Sequence, residues 1–223
     1  MTDTLTDQTP LTAPDTRHVV TNPAILYFGT PVVLVSTRNA DGTANLAPFS
    51  SAFWLGDRAV LGASHGSQTY GNLRRTGQAV IALPSSDQAD VVNRLALTTG
   101  NPSPAAYKLA RGYAHVADKF ARAGLTQVPA ELVDAPIPAE TPIALEAEVV
   151  AFHSEPGSDG APVTELRVVR VHVHPELLLP GRPNRIDPDR WRPLIMSFQQ
   201  LYGLTPRVAS SRLASIDEEA YRR

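Results

Sequence analysis

The sequence predicts a mainly β fold of α+β character: a small antiparallel barrel with inserted helices. Three observations lead there. Short β-branched, apolar runs recur along the chain, and Gly/Asn/Asp turns separate them. The first three runs follow one another through tight turns, as in a meander and not a βαβ unit. The 223 residues, 43% hydrophobic and 19% charged, are enough for one generous domain with a core of its own.

The elements follow in order. Residues 1–17 are rich in Thr, Asp and Pro and read as a disordered tail. They have neither the basic start nor the apolar centre of a secretory signal. Asn22-Pro23 predicts a short helix, capped by Asn22 and ending at Gly29. Residues 30–37 (TPVVLVST) predict a strand, and Asn39-Ala40-Asp41-Gly42 a turn. Residues 43–54 predict a second strand broken at Pro48, which can sit only at an edge or a bulge. Leu55-Gly56-Asp57 turns the chain into a third strand, 58–63. A polar loop then enters a short helix over 67–76, and 78–83 is again a strand. Helical segments are expected at 86–97, 104–111 and 116–123, and a proline-rich connector at 129–142. Two long strands, 143–153 and 163–174, form a hairpin around 156–162. A terminal helix is expected at 215–222. The domain spans 18–210, and 211–223 form a C-terminal helix or tail.

Composition excludes several functions. The net charge of −2 argues against a nucleic-acid binder. With no cysteine, disulfides, thiolate zinc sites and thiol catalysis are ruled out. No run is long and apolar enough to span a membrane, so a cytoplasmic protein is expected. Lys108 and Lys119 are the only lysines. His172 and His174 share a strand face but have no apparent third ligand, so they read as an exposed pair and not a metal site.

Two constellations could carry chemistry. Gly62-Ala63-Ser64-His65-Gly66 matches G-x-S-x-G between a strand and a helix, which would make Ser64 a hydrolase nucleophile with His115, His153, His172 or His174 as base. The antiparallel setting speaks against it, because a nucleophile elbow belongs to a parallel sheet. The second constellation pairs residues 45–51 (NLAPFSS) with 64–72 (SHGSQTYGN). A broken strand lies beside a hydroxyl-rich loop entering a helix, which is the makings of a phosphate site.

The ordered set Asn45-Leu46-Ala47-Pro48-Phe49-Ser50, then Ser67, Thr69 and Asn72 before Thr76-Gly77, resembles the flavin reductase-like domain of the FMN-binding split-barrel superfamily. The resemblance continues through Asp118-Lys119-Phe120, Ala123-Gly124-Leu125-Thr126, the strand 144–150 after Glu140, and the closing segment 193–204 with Tyr202-Gly203. It departs at Gln68, where the family usually has Asp, and at Met196-Ser197-Phe198-Gln199-Gln200. The resemblance implies an antiparallel split β-barrel. Asn45, Ala47, Pro48, Ser50 and Ser51 would face the isoalloxazine. Ser64, His65, Ser67 and Thr69 would hold the phosphate, with Asn72 fixing the loop. Lys119 would either contact phosphate or anchor its helix. The implied cofactor is FMN, with FAD or a deazaflavin as alternatives, and the donor NADH or NADPH. The implied activity is flavin reduction by hydride transfer, with a flavin carrier, sensor or electron-transfer protein as the alternative. The implied partners are a second copy completing the flavin pocket and a monooxygenase.

Overall fold

The computed structural model describes residues 18–154 and 162–221. The first half contains strands β1 (Phe28–Pro31), β2 (Val33–Arg38), β3 (Ala44–Phe49), β4 (Ala52–Leu55) and β5 (Arg58–Gly62), then helix α1 (Gln68–Thr76) and β6 (Gln78–Leu83). An excursion follows, made of α2 (Ala89–Leu95), β7 (Thr98–Thr99), α3 (Ala106–Ala110), β8 (Ala114–His115), α4 (Lys119–Ala123), β9 (Gln127–Val128) and β10 (Ile137–Pro138). The long strands β11 (Ile143–Phe152) and β12 (Val163–Val173) return the chain to the sheet. The pair β13 (Leu178–Leu179) and β14 (Arg182–Ile186) and the hairpin β15 (Ile195–Ser197) and β16 (Gln200–Tyr202) complete it.

Seven strands form one antiparallel sheet in the order β3-β2-β6-β11-β12-β5-β4. Its two outer strands, β3 and β4, are consecutive in the chain and linked only by Ser50 and Ser51. Laid flat, six spacings would hold them roughly 29 Å apart. Three peptide units reach about 11 Å at most. The sheet therefore curls until its edges approach, and the Gly62 N–H donates to the Ser51 carbonyl at 2.8 Å, carrying the β4–β5 ladder into the link between the edges. This is the split barrel.

Side-chain alternation sorts residues into two cores. Val33, Val35, Ile81, Ala59, Leu61 and Leu166 fill the barrel interior, which Leu73 of α1 joins. Their neighbours Leu34, Val80 and Ala82 face outward against Val92 and Leu95 of α2 and Phe120 and Ala123 of α4. The proline-rich connector is held to the barrel by Glu146 on β11. Its fully buried carboxylate accepts from the backbone N–H groups of Glu131, Leu132 and Val133 at 3.0, 2.6 and 3.0 Å, and His172 Nε2 lies 2.6 Å away. Burial pushes this carboxyl's pKa up, but the His172 and backbone hydrogen bonds outweigh it and hold it below the usual range.

The structure corrects four expectations. Residues 22–29 form no helix; the stretch is too short to be helical on its own, and β1 pairs instead with β15. The first three runs are not one meander: β2 pairs β3 and β4 pairs β5, but β3 and β4 lie at opposite ends of the sheet. The break falls after Pro48, at Ser50-Ser51, and Pro48 lies on an edge strand, where its missing N–H is tolerated. The expected terminal helix is two exposed 3₁₀ turns, Arg212–Ser215 and Glu218–Tyr221, with no buried face to propagate a helix. The tail 1–17 and most of the turn 156–162 lie outside the described residues. Among the described residues no helix is long and apolar enough to cross a membrane.

The link between the edge strands packs closely on β5. A Cβ at Gly62 would lie 2.8 Å from the Ser51 Cβ. Gly62→Ala is therefore expected to cost about 1–3 kcal/mol by forcing Ser51, and with it the β3–β4 link, away from β5, read as a lower urea midpoint at unchanged m-value. Stability equal to wild type would mean that this contact is slack.

Candidate functional site

The site begins at the N-terminus of α1. Ser67 is its N-cap, accepting from Tyr70 N–H at 3.1 Å, and the first turn holds no acidic residue. The free N–H groups of Gln68 and Thr69 and the positive end of the helix dipole thus stand beside a cleft of about 680 Å³ that Ser67, Gln68 and Thr69 line.

Beside α1 runs the edge strand β3, which contributes Asn45, Ala47, Pro48 and Phe49, with Ser50 after it. Having a neighbour on one side only, β3 leaves outer backbone groups without a ladder partner. Asn45 is buried, and its amide, assigned as donor, bonds Thr69 Oγ1 at 3.0 Å and Thr37 Oγ1 at 3.3 Å. Its Oδ1 is buried with no hydrogen-bond partner, packed against Gly100, where a Cβ would collide with it. The Ser67 and Thr69 hydroxyls each already accept a hydrogen bond from the protein. Each therefore has its own proton left to donate, and an anion is the ligand that wants such donors.

Lys119, at the start of α4, supplies the charge. It is 2% exposed, lines the cleft, and forms no ion pair with any described carboxylate. Burial, with the Lys108 charge adding, pushes its pKa down to about 8. No Asp or Glu among the described residues lines the cleft. Gln68 is part of the reason: its amide donates to Asn39 Oδ1 and Asn72 Oδ1, both at 3.1 Å. An aspartate in its place would have no N–H for those carbonyls and would add negative charge to this wall.

A flap, residues 100–115, lies over one end. It leaves at β7 and returns at β8, which pairs with β7 in parallel. Tyr107 OH reaches Ser64 Oγ at 3.1 Å, and Lys108 Nζ reaches the Gly66 carbonyl at 3.5 Å. Opposite stands the β15–β16 hairpin, which brings Met196, Gln199 and Leu201 to the cleft. Its two-residue turn, Phe198-Gln199, has positive φ at both residues (45° and 67°), normally a place for Asn-Gly. The Phe198 ring packs edge-on against Phe28 at 4.9 Å.

Eight residues expected from the sequence line this one cleft: Asn45, Ala47, Pro48, Ser50, Ser64, Ser67, Thr69 and Lys119. Three stand behind its wall. Ser51 turns its hydroxyl to Tyr27 OH at 2.9 Å. His65 stacks edge-on against Tyr70 with both ring nitrogens buried and unpartnered. Asn72 donates to Thr37 Oγ1 and Asn39 Oδ1 at 3.0 and 2.8 Å, tying α1 to the β2–β3 turn. Ser64 has no triad around it: its hydroxyl pairs with Tyr107, and no described imidazole is within hydrogen-bond range of it. His172 pairs with Glu146 and His174 with the Ala139 carbonyl, and the described residues hold no cluster of three metal-ligating side chains. The sequence reading missed Tyr27, the flap's Tyr107, Lys108, Arg111 and Tyr113, and the hairpin's Gln199. The rarity of lysine was the one signal that could have drawn attention to Lys108.

The flavin reductase-like domain model matches residues 25–204. The chain belongs to the flavin reductase-like domain family. A curated relative, the uncharacterized protein YdfE of Bacillus subtilis (strain 168), is 32% identical over 189 residues, 85% of this chain and 90% of its own length. Among solved structures, the flavoredoxin of Desulfovibrio vulgaris (Miyazaki F) superposes with a TM-score of 0.72 at 21% identity, covering 90% of this chain and 100% of its own. Nitrilotriacetate monooxygenase component B from Bacillus cereus does so with 0.67 at 19%, covering 87% and 100%. These likenesses establish the split-barrel fold, and family membership supports a flavin cofactor and a flavin-related oxidoreductase function. The site suits a phosphorylated flavin: this flavin reductase-like domain presents to one cleft a buried ammonium, two hydroxyl donors and a helix N-terminus, with no acidic side chain among the described lining residues.

Lys119 gives a signed prediction. Its folded pKa of about 8 lies below the ordinary lysine value of 10.5, so the unfolded chain binds more protons between those limits. Flavin-free protein should therefore gain stability as pH rises from 8 to 10.5, with the penalty fully present below 8. Lys119→Met should abolish that rise and raise Tm at pH 7 by roughly 5 °C, while weakening flavin binding. A melting series from pH 7 to 10 on both proteins checks it, and parallel curves would remove Lys119 as a strained cation.

Proposed function

We propose that the protein is an NAD(P)H-dependent flavin oxidoreductase of the cytoplasm that binds FMN in this cleft and works as a homodimer. The observation that carries the reading is Lys119, a buried ammonium with no carboxylate partner among the described residues, lining the same cleft as the Ser67 and Thr69 hydroxyls and the N-terminus of α1. The FMN phosphate would take these donors, and its charge would relieve the desolvation of the lysine. When bound, the flavin would supply the redox chemistry, as acceptor of a hydride from a reduced nicotinamide.

The chain's own residues bind, orient and exclude water. Ala47 and Pro48 are small and leave a smooth strand face for a flat ring, and the unpaired edge of β3 offers backbone groups to polar ring atoms. Val92, Leu95 and Met196 close the apolar side and keep water from the reacting face. The chemistry needs no side-chain acid or base, and an acid-free cleft is in keeping with that.

Partners follow from the same surface. Tyr27, Phe28, Phe198 and Tyr202 leave an apolar rim on this side of the molecule, 37, 70, 45 and 54% exposed. A second copy seated there would complete the pocket. A monooxygenase that consumes reduced flavin is the partner class we assign downstream.

The test is the visible spectrum of the purified protein with FMN, before and after NADH or NADPH. Bleaching of the flavin bands is the expected result and names the donor. Bound flavin that stays oxidised would replace the reductase with a carrier or electron-transfer protein, and failure to bind FMN would overturn the reading. Thr69→Val should weaken FMN binding by about tenfold or more through loss of a hydrogen bond to a charged group, measured by quenching of flavin fluorescence. Unchanged affinity would move the phosphate elsewhere.

A further inference from the structure

A lysine that gains nothing from its surroundings has an easy escape. Its four-carbon stem is flexible, and a lysine normally carries its ammonium out to water. Lys119 nevertheless stays 2% exposed, in the cleft, without a carboxylate partner among the described residues. The helix that carries it is poorly equipped to hold it there alone. α4 has five residues, fewer than an isolated helix needs to be stable. Lys119 also opens that helix, at the positive end of its dipole, where a cation is disfavoured.

Two devices compensate. In front, the Asp118 carboxylate caps the helix and accepts from the Ala121 N–H at 2.9 Å. Behind, the Arg94 guanidinium of α2 donates twice to one oxygen, the Ala123 carbonyl, through Nε at 3.0 Å and Nη2 at 2.7 Å. The grip is returned, because Arg122 Nε of α4 donates to the Arg94 carbonyl at 3.1 Å. Each guanidinium thus sits at the C-terminal end of the neighbouring helix, where the dipole favours a cation. Ala123 is one turn from Lys119, so a hold on its carbonyl reaches the lysine's backbone through a single turn. Arg94 itself is not among the residues that line the cleft.

We propose that Arg94 is a positioning residue for the phosphate subsite: its double hydrogen bond to Ala123 fixes α4 so that the Lys119 ammonium stays in the cleft. The proposal rests on the flavin reading above for the identity of the phosphate. Without the clamp, α4 shifts, and the ammonium reaches water and loses its hold on an anion in the cleft.

The test titrates FMN, and riboflavin, which lacks the phosphate, into wild type, Arg94→Gln and Arg94→Lys. In Arg94→Gln, FMN affinity should fall about tenfold while riboflavin affinity changes less than about twofold. Arg94→Lys keeps the charge and one donor and should recover part of the loss. In a Lys119→Met background, Arg94→Gln should cost FMN nothing further. Unchanged FMN affinity, equal losses for FMN and riboflavin, or additive losses in the double variant would overturn the proposal, the last two by showing that Arg94 merely welds α2 to α4. Flavin-free protein gives a second readout. Burial, with the Lys108 charge of the flap adding, holds the Lys119 pKa down to about 8, so wild type should gain stability as pH rises above that value. Arg94→Gln should flatten this gain, and a variant as steep as wild type, or a flat wild type, would also overturn the proposal. Wild type that takes up neither flavin would defeat the flavin reading, and a pH-linked gain that Arg94→Gln removes would still leave Arg94 as the residue that keeps Lys119 in place. Should Arg94→Gln melt too early, Arg94→Lys serves for the same measurements, with a smaller loss expected.

Discussion

Everything in this molecule hangs on the two-residue link between the sheet's outer strands. Ser50 and Ser51 cannot span a flat seven-stranded sheet, so the sheet must close on itself. Closure puts β3 on an edge with its outer side open. That edge carries Ala47 and Pro48, and its buried Asn45 reaches across to α1. The cleft is thus a product of closure: the barrel supplies the strand, and the excursion between β6 and β11 supplies the α4 lysine and the flap. A one-residue slip in the β2–β3 register would turn the side chains of β3 to the opposite face of the sheet, Asn45 away from Thr69 among them.

The binding site is held in a state that its own chain does not satisfy. Lys119 is desolvated without a carboxylate, the Asn45 carbonyl has no donor, and the Ser67 and Thr69 hydroxyls have protons to give. Each is costly or indifferent in the free protein and favourable with an anion present, so a ligand recovers at binding what folding left unsatisfied. Gln68 belongs to this pattern. Its amide links Asn39 to Asn72 and so stiffens the α1 entrance while leaving the wall uncharged. The positive φ values at Phe198 and Gln199 are a further local cost beside the cleft, at the turn that brings Gln199 to its lining.

Much of this was legible in the sequence because it rests on local rules. The strand 78–83 and the long pair β11 and β12 announced themselves by β-branched runs, Gly42 and Gly56 by turns that need positive φ, and Ser67 by its place before a helix. What escaped depends on contacts distant in sequence. β1 was misread as a helix because its partner β15 lies more than 160 residues away. The meander was misread because local turn signals do not say which strands pair once a barrel closes. Tyr107, Lys108, Arg111 and Gln199 reach the cleft only through the fold, and no local pattern marks an exposed cation as facing a cavity instead of open water.

The G-x-S-x-G match shows how packing can imitate catalysis. Gly62 is small because Ser51, opposite it where the β4–β5 ladder runs into the link, lies against it. Ala63 N–H bonds the Pro162 carbonyl and so continues the β5–β12 ladder past its last paired residue. The Ser64 hydroxyl pairs with that of Tyr107, and Gly66 presents its carbonyl to Lys108. Every position in the motif is thus engaged either in closing the barrel or in seating the flap, apart from His65, whose ring stacks on Tyr70 with no polar partner. A nucleophile needs a base oriented toward it and a third group behind the base. This serine has a tyrosine that belongs to the neighbouring cleft. The same five residues would read as an elbow on a parallel sheet, so the strand pairing around them, and not the spacing of glycines, decides what the serine does.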